Sequence, residues 1–233
     1  MGNDSTSIAE NLRLVRQRIA SACAAAGRDP QHVTLLAVSK TCPADAVRAA
    51  QAAGQRAFGE NYVQEALAKI AETADLAGSM EWHLIGPLQS NKTRVVAEAF
   101  DWVHTVDRLK TAERLSAQRP QNLPPLNLCL QVNVSGEASK SGVGFDELPA
   151  LARAVAVLPG LRLRGLMSIP EPAGDLQAQR APHRRLREAF DGLRQQGLAL
   201  DTLSMGMSAD LEAAVLEGAT LVRIGTAIFG ARG

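Results

Sequence analysis

The stretch from Val33 to Pro43 holds the first residue able to do covalent chemistry. Five of the six residues from Val33 to Val38 are apolar, which reads as a short, fully buried strand. Pro43 can open a helix. Lys40 therefore stands at the carboxyl end of a core strand. Burial there disfavours the ammonium form, and a neutral amine is what Schiff-base chemistry requires. Only five of the 25 Lys and Arg residues are Lys, so the chain writes plain positive charge as arginine. A lysine whose head snorkels to solvent is the competing reading.

Two glycine-bearing loops near the carboxyl terminus supply a second function. One carries Ser204, Gly206 and Ser208, the other Gly225 and Thr226. Glycines let backbone N–H groups approach an anion, and hydroxyls add donors, so the two loops together suit a phosphate. A tight turn explains either glycine alone. Arg223 lies in an otherwise apolar strand and needs a fixed acceptor. That acceptor is either a pyridine nitrogen or a carboxylate such as Glu217. An imine-forming lysine, a phosphate cradle and an arginine between them describe pyridoxal 5′-phosphate.

These residues need elements to hold them. A first helix, capped by Asp4-Ser5, is expected from Ile8 to about Ala25, and Gly27 ends it. Strands are expected at 33–38, 56–58, 81–85, 102–106, 126–134, 161–169, around 203 and at 220–224. Helices are expected between them, with Ser90 and Asp107 as two of the caps. Eight strands alternating with helices imply a parallel sheet, and this length suits a closed (β/α)8 TIM barrel. An open doubly wound sheet is the fallback. The chain reads as one domain over 1–233, with residues 1–27 packing a helix on the barrel. In such a barrel the strands' carboxyl ends form the active face. There the sequence gathers Ser39-Lys40, Gly59-Glu60-Asn61, Gly86-Pro87, Thr105, Asn133, Met167-Ser168, Ser204 to Ser208 and Arg223 to Thr226.

Composition narrows the alternatives. A net charge of +1 lacks the basic footprint of a nucleic-acid binder, and 3% aromatic residues leave little for base stacking. Cys23, Cys42 and Cys129 are scattered, without a CxxC, as expected of reduced cytoplasmic thiols rather than of a metal site or disulfide framework. No run is long and apolar enough to span a membrane. A complete barrel permits a monomer.

The motifs Ala37-Val38-Ser39-Lys40-Thr41, Phe58 to Glu65, Trp82 to Lys92, Gly165-Leu166-Met167, Met205 to Asp210 and Val222 to Gly230 resemble the YggS/PROSC pyridoxal-phosphate-binding proteins, the PLP homeostasis family. The match runs from about Val33 to Gly230. The resemblance implies a fold like the alanine racemase N-terminal barrel, with Lys40 as the Schiff-base lysine. It places Arg223 near the pyridine nitrogen and Ser204, Gly206, Gly225 and Thr226 around the phosphate. Asn61 and Met167 line the ring site, with helix cap and core filler as their alternative roles. His83 reads as a satisfied strand histidine, Glu60 as a support for its loop, and Lys140 as a loop lysine able to receive the cofactor transiently.

Activity does not follow from fold. A racemase needs acid/base groups on both faces of its substrate. Lys40 serves one face, and the only tyrosine, Tyr62, lies before a helix. An arginine at the pyridine nitrogen also weakens the ring as an electron sink. The expectation is a non-catalytic cofactor carrier that passes pyridoxal phosphate to apo-enzymes. A weak amino-acid racemase is the alternative, and a cofactor-free Schiff-base aldolase the third reading.

Overall fold

The computed structural model describes residues 7–136 and 140–230. Eight parallel strands close into a barrel in sequential order, each pairing with the next and the last with the first. They are β1 (Thr34–Val38), β2 (Ala57–Glu60), β3 (Glu81–Leu84), β4 (Trp102–Val106), β5 (Leu126–Gln131), β6 (Leu161–Met167), β7 (Thr202–Ser204) and β8 (Leu221–Ile224). The helices are α1 (Ile8–Ala25), α2 (Ala44–Ala52), α3 (Val63–Glu72), α4 (Thr93–Ala99), α5 (Leu109–Gln118), α6 (Leu148–Ala156), α7 (Leu176–Gln195), α8 (Leu211–Leu216) and α9 (Thr226–Phe229). The closed barrel agrees with the sequence, and the open sheet is excluded.

Alternation along each strand builds two cores. Outward residues such as Leu35, Ala37, Phe58 and Val222 pack beneath the helices. Inward residues form separate clusters: Leu36, Val38, Ala57, Ile85 and Leu221 in one, Trp102, Cys129 and Met167 in the other. Trp102 is held between His83, stacked at 5.2 Å between ring centroids, and the Arg164 guanidinium, 4.7 Å from the ring centre. Helix α1 lies against α2, α8 and α9, over the seam where β8 meets β1. It buries Leu12, Val15 and Ile19, and Arg18 forms a two-bond pair with Glu212 at 2.5 and 2.6 Å.

Several local expectations shift. The side chain capping α1 is Ser7, which accepts from the Glu10 N–H at 3.2 Å, whereas Asp4 and Ser5 lie outside the described residues. Asp107 does not cap α5; its carboxylate takes the Arg108 Nε–H and the Gly142 N–H instead. Ser90 opens a short 3-10 turn, and α4 begins only at Thr93. The strand expected to reach Val134 stops at Gln131, because Val132 turns to pair with Val143. The strand expected at 56–58 runs on to Glu60, whose carboxylate finds a cation in the next helix.

Candidate functional site

Register brings four strand ends side by side. Ala37 on β1 pairs with Ile224 on β8, so Ser39-Lys40 emerge beside Gly225-Thr226. Ser204 on β7 pairs with Leu221 on β8 and with Met167 on β6. Lys40, Met167, Ser204, Gly206, Arg223, Gly225 and Thr226 thus belong to one continuous arc of the barrel, β6-β7-β8-β1. Asn61 lies just past β2, on the other side of Lys40. Its backbone carbonyl approaches Gly86 so closely that a Cβ there would lie 2.1 Å from the Asn61 oxygen, which only glycine permits.

Lys40 is half-buried rather than buried, and alternation assigns it to the inward set with Leu36 and Val38. Its neighbours are clamped from outside the barrel. Lys69 on α3 is buried and donates to the Ser39 carbonyl at 2.6 Å, to Glu60 Oε1 at 2.8 Å and to Glu65 Oε1 at 2.6 Å. The Ser39 hydroxyl donates to the same Glu60 oxygen at 2.6 Å. Glu65 also accepts from the Thr41 N–H. Thr41 has φ +63°, an uncommon conformation for a β-branched residue, so the turn carrying Lys40 is strained and held by that network. Burial pushes the Glu60 carboxyl up, against the pull of Lys69 and Ser39.

Arg223 points into the barrel, as its alternation with Val222 and Ile224 requires. Its NH1 donates to the Ser204 carbonyl at 2.7 Å and to Ser204 Oγ at 3.0 Å, and its NH2 to the Ser168 carbonyl at 2.8 Å. Glu217 is not its partner; Arg180 and Arg184 hold that carboxylate at 2.7 and 2.9 Å. Three of the five guanidinium N–H donors are engaged, and the other two meet no acceptor among the described residues. Burial pulls the guanidinium down to about 10, which leaves it charged at neutral pH.

Gly206, at φ +92°, sits where a Cβ would lie 2.5 Å from Ala214 Cβ, and its carbonyl accepts from the Arg223 N–H at 2.9 Å. Asp210 braces the same loop by accepting from the Met207 N–H at 2.6 Å. Thr226 is exposed as the first residue of α9, just after β8, with Gly225 half-buried before it. Met167 is fully buried inside the barrel with Trp102 and Cys129. Ser204 departs most from its expected place. It is fully buried, and its hydroxyl is spent on Arg223 and His104 rather than turned to the Gly225 loop. Lys140 pairs with Glu171.

Ser168, which the sequence places at a strand end without a role, has a buried Oγ with no partner, and Lys69 and His104 are site residues not singled out from the sequence. The lysine at (i, i+4) from Glu65 on an amphipathic helix was a usable signal; nothing local marked His104. Burial raises the Cys129 thiol to about 12, so it is inert, and the described residues contain no His, Cys, Asp and Glu cluster able to hold a metal. No helix among them is long and apolar enough to cross a membrane.

The family model described as alanine racemase, N-terminal domain, matches residues 4–233. A Pseudomonas aeruginosa protein named pyridoxal phosphate homeostasis protein is 67% identical, over 97% of this chain and 96% of its own length. Its namesake from Escherichia coli K12 is 57% identical, with 97% of each chain covered. Among solved structures, Synechococcus elongatus PipY with PLP bound superposes with a TM-score of 0.84 at 42% identity, covering 96% of this chain and all of that one.

Proposed function

This chain belongs to the alanine racemase N-terminal domain family, and from that premise we propose that it binds pyridoxal 5′-phosphate in PLP homeostasis, as the Pseudomonas and Escherichia relatives are named for doing. The observation that carries the reading is the juxtaposition at the β8–β1 seam: a half-buried lysine beside the Gly225-Thr226 start of α9, with a buried arginine two residues earlier on β8. The residues fit the cofactor. Arg223 has two donors to spare, and the side-chain oxygens of Ser168 and Asn61 are buried without partners.

When bound, pyridoxal phosphate supplies an aldehyde that condenses with an amine and a phosphate that anchors it. Lys40 offers the amine, and the network through Ser39, Thr41, Lys69 and Glu65 fixes where that amine can reach. Gly206, Gly225 and Thr226 would hold the phosphate through backbone N–H groups and a hydroxyl. Arg223 would donate to the pyridine nitrogen, and Met167 would line the ring site from the barrel interior. Ser204 would not reach the phosphate; its part is at the ring nitrogen, as the acceptor that aims Arg223.

Among the described residues we find no second proton-transfer group placed for racemisation. Tyr62 is exposed on the rim before α3, and His83 and His104 are sealed inside the barrel with lowered pKa values caused by burial. We read the chain as a cytoplasmic carrier, not an enzyme, that delivers cofactor to apo-enzymes. The loaded protein should restore activity to a PLP-requiring apo-enzyme while leaving the optical rotation of L-alanine unchanged. Rapid racemisation would overturn the carrier reading in favour of the weak racemase.

A further inference from the structure

A chain of hydrogen bonds crosses the barrel interior behind Arg223. Ser204 Oγ lies 2.8 Å from His104 Nδ1, and His104 Nε2 lies 2.9 Å from His83 Nδ1. His83 Nε2 makes no hydrogen bond among the described residues; the Glu81 Oε2 stands 3.6 Å away, close enough for electrostatic attraction only. The three hydrogen-bonding side chains are at most 1% exposed. They come from β3, β4 and β7, and the β7 member is the one that receives Arg223.

Donor and acceptor roles can be assigned along this chain. Arg223 can only donate, so Ser204 Oγ accepts from it. The Ser204 hydroxyl proton then needs an acceptor, and His104 Nδ1 is the one within reach among the described residues. That forces the His104 proton onto Nε2, which donates to His83 Nδ1 and leaves the His83 proton on Nε2, facing the Glu81 carboxylate. The reverse order fails twice. It would strand the Ser204 proton without an acceptor, and it would aim a His83 lone pair at a carboxylate. Burial keeps both rings neutral, and the Arg223 charge adds to that effect at His104.

We propose that His104, backed by His83 and Glu81, is a positioning residue: by taking the Ser204 proton it makes Ser204 a pure acceptor that locks Arg223 in the orientation needed to donate to a pyridine nitrogen. The proposal rests on Arg223 being the ring-nitrogen partner. Without His104 the Ser204 hydroxyl is free to rotate and to turn its proton toward the guanidinium, which leaves Arg223 held by the Ser204 and Ser168 carbonyls alone and shifts it off the line to the ring nitrogen.

The test compares pyridoxal 5′-phosphate with its 1-deaza analogue, in which a CH group replaces the ring nitrogen. Each is titrated by calorimetry into the wild-type chain, His104→Leu and His104→Asn. The wild-type chain should prefer the natural cofactor by about tenfold, the weight of one hydrogen bond to a charged group. His104→Leu should abolish that preference while leaving the deaza affinity unchanged. His104→Asn should retain it, because the amide oxygen can stand near the Nδ1 position. A purely structural role would lower both affinities together and leave their ratio intact, which overturns the proposal. No preference in the wild-type chain would overturn the ring-nitrogen reading itself, a separate failure. Nitrogen-15 spectra of the histidine rings in cofactor-free protein test the chain without any ligand or variant. Protons on Nε2 of both rings support it; a proton on His104 Nδ1 overturns it.

Discussion

One buried side-chain network clamps the barrel from outside and another runs through its interior, and each is sensitive to a single atom. Lys69 satisfies Ser39, Glu60 and Glu65 at once, and Glu60 Oε2 already has no partner. Lys69→Met would leave a buried carboxylate without its cation. The expected loss is about 3–5 kcal/mol in urea unfolding at neutral pH; a loss below ~1 kcal/mol would show that the cation is dispensable. The histidines set a pH dependence. Their folded pKa values lie below the ordinary value of 6.5, so the unfolded chain binds more protons below that pH. Stability therefore falls on acidification through 6.5, by up to ~1.4 kcal/mol per pH unit for each ring. Unfolding free energies from pH 7.5 to 5.0 should fall less steeply for His104→Gln than for the wild-type chain, and equal slopes would contradict the buried-neutral assignment. Lys40, Arg223 and the glycine loops were legible as residue types in a linear pattern. The histidine chain was not, because it joins positions 21 and 100 residues apart whose shared direction depends on register.

At the scale of elements, strand order and helix alternation could be read from periodic apolar runs, while ends and caps moved where a side chain found a better partner. Glu60 is the clearest case. A carboxylate reads as the end of a strand, yet β2 keeps it because Lys69 neutralises it from α3. Helix α7 shows the opposite: a residue that local rules resist, retained inside. Pro182 lies within it, removing one backbone donor and crowding the preceding turn. The helix survives because His183, Leu186, Phe190 and Leu193 are buried, and Arg180 and Arg184 grip Glu217. Pro182→Ala should raise stability by ~1–2 kcal/mol, the helix-interior gain less the entropy returned to the unfolded chain. Thermal unfolding reads this directly, and a lower midpoint would show that a bend at Pro182 is needed for that packing.

For the whole molecule, barrel closure brings residues scattered from 40 to 226 onto one arc of adjoining strand ends. The β1–β8 pairing places Lys40 next to the Gly225-Thr226 loop, and α1 covers that seam from outside. The function proposed depends on that closure more than on any individual contact. The most direct test is to add pyridoxal 5′-phosphate, reduce with borohydride, digest, and find the pyridoxylated residue by mass spectrometry in the wild-type chain and in Lys40→Ala. The account predicts stoichiometric labelling of Lys40, lost in Lys40→Ala without transfer to Lys69. Labelling that avoids Lys40, or that persists undiminished on another lysine in the variant, would contradict it.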